Sequence, residues 1–172
     1  EVVANSYDAD ASVVLLLIDE INSSIEIIDN GSGFDKDTIE LVVQLGGGTK
    51  TNVPFSKSKR PYLGSYGFGI KSTFNIARRV EVFSYNKEEN IHLDLDWNKI
   101  EDAFNNANVW PLEIKKQKTS FNGTILKIQL KNPIDKLKIE DFQTVLSNLP
   151  NNEKFKIYIG RKSDAHNFMP NN

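Results

Sequence analysis

Between Gly46 and Gly69 the chain runs for about 20 residues without a hydrophobic period, and no other stretch limits the fold as strongly. It holds Gly46, Gly47, Gly48, Gly64, Gly67 and Gly69, the prolines Pro54 and Pro61, and a basic run from Lys57 to Arg60. Structureless loops of that length inside a compact domain are uncommon and commonly serve as lids or binding loops. The stretch ends in Gly64-Ser65-Tyr66-Gly67-Phe68-Gly69, after which Ile70 to Arg78 reads as a helix. Glycines feeding a helix N-terminus expose backbone N–H groups and the positive end of the helix dipole, a combination that suits phosphate. Two familiar phosphate loops fail here. Ile70 separates Gly69 from Lys71, which breaks the P-loop pattern, and no strand stands directly before the glycines as the dinucleotide fingerprint requires. The plain alternative is a flexible loop.

The rest of the chain reads as alternating strands and helices. Residues 1–9 have helical character. Val13 to Asp19 is a short apolar, β-branched run and Ile25 to Ile28 a second, so the two form a hairpin. Asp35 caps a helix running to about Gln44. Further strands are expected at Val80–Tyr85, Ile91–Trp97, Leu112–Lys115, Thr124–Leu130 and Phe155–Ile159. Ile139 to Leu149 reads as an amphipathic helix closed by Pro150. Helices on one side of such strands predict an α+β fold, a two-layer α/β sandwich with a mixed, mostly antiparallel sheet. Residues 1–160 form one domain in this reading, and 161–172 a polar tail or linker.

Three further constellations bear chemistry. Glu1, Asn5 and Asp8 stand at i, i+4 and i+7, which places them on one face of the first helix. Spacing alone favours a solvated helix face; the functional alternative is a carboxylate beside an amide oxygen suited to Mg²⁺. Asp29-Asn30-Gly31-Ser32-Gly33 follows an apolar strand directly. It is either a strand-ending turn or a carboxylate placed to accept from an exocyclic amine, with Gly31 and Gly33 admitting a flat base to the backbone. Asn122-Gly123-Thr124 opens a later strand and says little by itself.

Composition narrows the function classes. The 172 residues carry a net charge of −2, with 39% hydrophobic and 26% charged residues. Such a balance offers no basic surplus for nucleic acid or an anionic membrane, so nucleic acid would be met only through other domains. Cysteine is absent, which excludes disulfides and thiolate metal sites. His92 and His166 are too far apart in sequence to suggest zinc or an imidazole-based triad. With no membrane-length apolar run and no signal-peptide pattern, a cytoplasmic location is expected.

In their order along the chain these elements resemble the GHKL superfamily, the Bergerat-fold ATPases: type II topoisomerase ATPase domains, heat-shock chaperones, MutL, MORC proteins and histidine kinases. Glu1-Val-Val-Ala-Asn5-Ser6-Tyr7-Asp8-Ala9 matches the family's E-x-x-x-N-[SA]-x-D-A box throughout. Asp29 to Gly33 matches D-x-G-x-G, Gly64 to Gly69 matches G-x-x-G-x-G, and Gly123-Thr124 matches the Gly-Thr strand box. The resemblance implies a site for ATP or ADP with Mg²⁺. Asp29 would accept from the adenine amino group, with Thr124 in support, and Asn5 would hold Mg²⁺. The loop Gly64, Ser65, Tyr66, Gly67, Phe68, Gly69 would wrap the phosphates, with Lys50 or Lys71 adding charge, and Asp8 would complete the first box. Glu1 would act as the general base of hydrolysis, a residue histidine kinases do not place there. Gly48-Thr49-Lys50 and Gly69-Ile70-Lys71-Ser72 resemble the MutL and MORC branches. The resemblance further implies that a segment ahead of Glu1 is missing from this chain, that a homodimer would form through it, and that the long loop is an ATP lid.

Overall fold

The alternation of the strand runs translates into one sheet. A computed structural model of the chain describes residues 1–34, 61, 63, 70–86, 90–105, 114–115, 122–133 and 138–167. Its strands are β1 (Val13–Asp19), β2 (Ser24–Asp29), β3 (Ala77–Tyr85), β4 (Asn90–Asp96), β5 (Ile114–Lys115), β6 (Gly123–Leu130) and β7 (Lys156–Arg161). They lie in the order β5-β4-β3-β6-β2-β1-β7. Every pairing is antiparallel except β1 with β7, which is parallel. Among the described residues the α-helices are α1 (Val2–Asp8), α2 (Trp97–Asn105) and α3 (Ile139–Leu146). The expected α+β architecture with a mixed, mostly antiparallel sheet is therefore observed.

Cross-strand register explains where the core sits. Directly paired residues share a sheet face, and a pairing slip of one residue would turn them to the other side. Leu16, Ile27, Leu126, Val82 and Leu93 pair in succession across five strands, as do Ile18, Ile25, Ile128, Val80 and Leu95. All ten are buried, in one cluster with Val3 of α1, Ile70, Trp97 and Phe155. Phe142 and Leu146 of α3 pack against that cluster, so the helices cover this face. Each buried Val, Leu or Ile stabilises the fold by roughly 1.5–3 kcal/mol, so these rows dominate its energetics.

The next row on the same face is different. Val14, Asp29, Thr124, Ser84 and Ile91 pair in succession at one end of the strands. Three polar residues thus replace the aliphatic centre of the row, and this step in polarity marks the end of the sheet where Asp29 stands.

Four expectations need correction. The helix expected over Ile70–Arg78 is a 3-10 turn over Lys71–Asn75, and β3 starts already at Ala77. Pairing of Ala77 with Leu130 of β6 and complete burial of its side chain outweigh helical continuation. Trp97 ends no strand but opens α2, because the Asp96 carboxylate accepts the N–H groups of Asn98 (3.2 Å) and Lys99 (3.3 Å) as a helix cap. The helix expected to reach Leu149 ends at Leu146, with Ser147 as its cap. The segment set apart as a tail starts as structure. β7 includes Arg161, a 3-10 helix spans Lys162–Asn167, and the Lys162 ammonium reaches Glu26 at 2.6 Å and Asp19 at 3.6 Å. The helix expected over 35–44 lies outside the described residues. Among the described residues no helix is long and apolar enough to cross a membrane.

Candidate functional site

Helix α1 is seated by what it buries and by how it ends. Val3, Ala4, Ser6 and Asp8 are buried, and Tyr7 meets Phe155 edge-on with ring centroids 5.1 Å apart. At the C-terminus Asp10 takes a left-handed conformation with φ of 60°. Ala11 N–H returns to the Ser6 carbonyl and Asp10 N–H to that of Tyr7, both at 3.1 Å, which is the Schellman arrangement. This ending leaves the Ala9 carbonyl to accept the Ser32 N–H at 2.9 Å. The glycine turn after β2 is thereby laid across the end of α1.

Beneath that turn stands Asp29, 7% exposed. Ser6 Oγ donates to its Oδ2 at 2.9 Å, and the Gly31 N–H to its Oδ1 at 2.8 Å. Its cross-strand partner Thr124 adds a backbone N–H bond. Burial pushes the Asp29 carboxyl above its ordinary value, against the opposing pull of the bonds from Gly31, Ser6 and Thr124. An ionised carboxylate has about four acceptor positions, so capacity remains for a further donor such as an exocyclic amine.

The two glycines of the turn have separate reasons to be glycine. A Cβ on Gly31 would stand 2.8 Å from the Ala9 carbonyl oxygen. Gly33 has φ of +68°, and a Cβ there would meet the Tyr85 carbonyl oxygen at 2.5 Å. Protein backbone, on α1 and on β3, already demands these glycines before any base approaches. Gly33→Ala is expected to lower unfolding free energy by ~1–3 kcal/mol, read as a shifted urea midpoint with an unchanged slope.

The stripe on α1 runs from an exposed end at Glu1 to a buried end at Asp8. Asp8 is 7% exposed, and its Oδ1 accepts the Leu63 N–H at 2.7 Å. Leu63 directly precedes Gly64, so a bond spanning 55 residues ties the start of the glycine loop to the first helix. Asn5, half-buried, sits one turn earlier. Glu1 is the exposed N-cap residue and makes no side-chain bond to the helix. It lines a cavity of about 310 Å³ together with Val3, Ser72, Thr73, Ile76 and Phe142. The structure therefore brings Glu1 beside the 3-10 turn that follows the glycine loop. Asp29, Thr124, Gly31 and Asp8 lie at the other end of α1, about 10 Å away at 1.5 Å per residue.

Among the described residues no group of three or more His, Cys, Asp or Glu side chains gathers as a metal site. Asn5 offers a single hard oxygen. That donor set fits Mg²⁺ delivered with phosphates, since Mg²⁺ is usually held by one or two protein groups, with phosphate and water completing its shell. Lys71 opens the 3-10 helix. Lys50 and the loop Gly64, Ser65, Tyr66, Gly67, Phe68 and Gly69 lie outside the described residues. Sequence reasoning passed over Ser6 and Ser84. Ser6 stood inside the first box as a small residue, with nothing in its spacing to show a bond to Asp29. Ser84 had one available signal, a serine in phase with the apolar positions Val80 and Val82.

A family model described as histidine kinase-, DNA gyrase B- and HSP90-like ATPase matches residues 1–125. The chain belongs to this family, and membership together with the α+β fold implies a domain that binds ATP. A search of curated proteins gives no match to the chain. The family joins kinases and hydrolases, and membership by itself does not divide them.

Proposed function

We propose that this domain binds Mg²⁺–ATP and hydrolyses it, and that the nucleotide state drives dimerisation or clamp closure of a larger protein. The observation that carries the nucleotide site is the buried Asp29 carboxylate, bonded to Ser6 and Gly31, with acceptor capacity left at the polar end of an otherwise apolar sheet face. Asp29 and Thr124 hold the adenine edge, and the Gly31–Gly33 turn lies along the base. Asn5 holds Mg²⁺, which when bound neutralises charge on the phosphates. The loop from Gly64 to Gly69 surrounds the phosphates, its start tied to Asp8 through Leu63. Glu1 takes the proton of the attacking water. Glu1 and the Thr49-Lys50 and Lys71-Ser72 pairs support a reading nearer MutL and MORC proteins and the chaperones than histidine kinases.

A second reading, an ATP-binding module without significant hydrolysis, draws on one observation: Glu1 is exposed and makes no side-chain cap bond. Turnover of Glu1 variants separates the two.

The nucleotide site itself is tested by calorimetry against pH. Asp29 accepts from an amine only when ionised, and burial raises its folded-state pKa above the ordinary carboxylate value. ATP affinity is therefore expected to fall as pH drops toward that raised value, with a proton taken up on nucleotide release. The stability sign is opposite. A carboxyl with a raised folded pKa holds more protons folded than unfolded, so it costs stability as pH rises from its unfolded to its folded value. Affinity independent of pH across the mildly acidic range would remove Asp29 from adenine binding.

A further inference from the structure

We propose that Ser84 and Asn86, at the end of β3, are positioning residues of the nucleotide site, fixing the backbone of Gly33–Phe34 where it leaves the Asp29 turn. The inference rests on the adenine-site reading above.

Ser84 is 0% exposed and shares its face of β3 with Val80 and Val82. An aliphatic side chain would suit that row, and a buried hydroxyl costs free energy unless it is bonded. Its bond goes to the turn, for the Phe34 N–H donates to Ser84 Oγ. Asn86 completes the hold, with Nδ2 donating to the Phe34 carbonyl at 2.6 Å. Both polar groups of Phe34 are thus taken by side chains two positions apart, one on β3 and one just past its end. Between them, the Tyr85 carbonyl stands where a Cβ on Gly33 would fall. Three consecutive residues of β3 and its exit therefore engage two consecutive residues of the turn.

The other side of the turn is fastened to α1 through Ser32 N–H to the Ala9 carbonyl. The turn is a bridge from α1 to β3, crossing the ends of β2 and β6 where Asp29 and Thr124 lie. A flat base bonded to Asp29 must lie along this bridge. Its α1 end is fixed by the first-box helix, and its β3 end by Ser84 and Asn86. Neither residue is bonded to Asp29, so their influence is on the backbone along which any purine lies, not on recognition of its amine.

That separation gives the test. Binding of ATP and of inosine triphosphate, which carries an oxygen in place of the amine, is measured by calorimetry for the wild-type chain, Ser84→Ala, Asn86→Ala, the double variant and Asp29→Asn. Ser84→Ala and Asn86→Ala are each expected to weaken both nucleotides by the same factor, roughly 5-fold, the worth of one neutral hydrogen bond. The ATP-to-inosine-triphosphate ratio stays at the wild-type value. The double variant loses less than the product of the singles, because both act on Phe34. Wild-type affinity in both single variants overturns the proposal, as does a loss confined to ATP. Should Ser84→Ala fail to fold, Asn86→Ala, at a half-buried position, decides the matter alone. Failure of the underlying adenine reading looks different: Asp29→Asn then leaves the ratio between the two nucleotides unchanged.

Discussion

Glu1→Ala is expected to leave ATP affinity within about twofold of wild type while turnover in the full-length protein falls by about 10²- to 10⁴-fold, the usual contribution of a positioned general base. The expectation follows from where the two chemistries sit on α1. Asp29, Thr124 and the Gly31–Gly33 turn gather at the C-terminal end of the helix, and Ser6, not Glu1, braces Asp29. Glu1 stands at the opposite end, where it lines a cavity with Ser72 and Thr73. Removing its carboxylate touches no group placed on the base. Its exposure also means that no buried partner is orphaned, so the fold is expected to tolerate the change. Glu1→Gln sharpens the experiment, because it keeps the shape and hydrogen-bonding reach and removes only the basicity. Both variants are to be read by single-turnover kinetics beside calorimetry. Loss of turnover in both with binding retained makes Glu1 the base. Unchanged turnover in either takes it out of the mechanism and leaves the reading of a binding module.

The strands, and the end of the sheet where Asp29 stands, could be read from the sequence because they depend on local pattern. Alternation over Ile25–Ile28 and Thr124–Leu130 fixes which side chains face the core, and register then follows from burial. The Ile70–Arg78 helix went wrong because its pattern is ambiguous over so few residues. Whether Ala77 joins a helix or a strand depends on Leu130, more than fifty residues later. The same limit applies within the site. Asp29, Gly31 and Gly33 could be singled out by type and order, whereas the Ser6 bond to Asp29 and the Leu63 bond to Asp8 span 23 and 55 residues. No periodicity encodes such contacts. The glycines show the limit most plainly. Sequence reasoning assigns Gly31 and Gly33 to the ligand, yet Ala9 and Tyr85 already forbid a side chain at either place. Glycine at these positions is therefore weaker evidence for a nucleotide than the buried carboxylate beside them.

Asp29→Asn is expected to weaken ATP by about 10- to 100-fold, or about 1.4–2.8 kcal/mol, while inosine triphosphate is affected far less. The change is isosteric, so the argument turns on donors and acceptors. Asp29 receives Ser6 Oγ on one oxygen and the Gly31 N–H on the other, with the Thr124 backbone N–H beside them, and all three partners are donors. An asparagine can turn its oxygen toward Ser6 or toward Gly31, not both. The Gly31 N–H cannot rotate away, whereas the Ser6 hydroxyl can, so the amide oxygen is expected to stay with Gly31 and the NH₂ to face Ser6 and the ligand. An adenine amine then meets a donor instead of an acceptor, and a buried donor–donor contact costs about what an unsatisfied buried group costs, roughly 1–3 kcal/mol. The oxygen of inosine triphosphate meets that NH₂ favourably, which predicts a shift in preference and not a general loss. Stability gives an independent check. Burial opposes the charged form of Asp29 in the folded state, so removing the charge relieves that penalty at neutral pH and offsets part of the cost of the lost charge-assisted bonds. The variant should therefore unfold at a urea midpoint closer to wild type than its nucleotide affinity would suggest. It should also lose the dependence of ATP affinity on pH that the raised carboxyl confers. Equal weakening of both nucleotides, in a variant of unchanged stability, would mean that Asp29 shapes the turn and does not read the base.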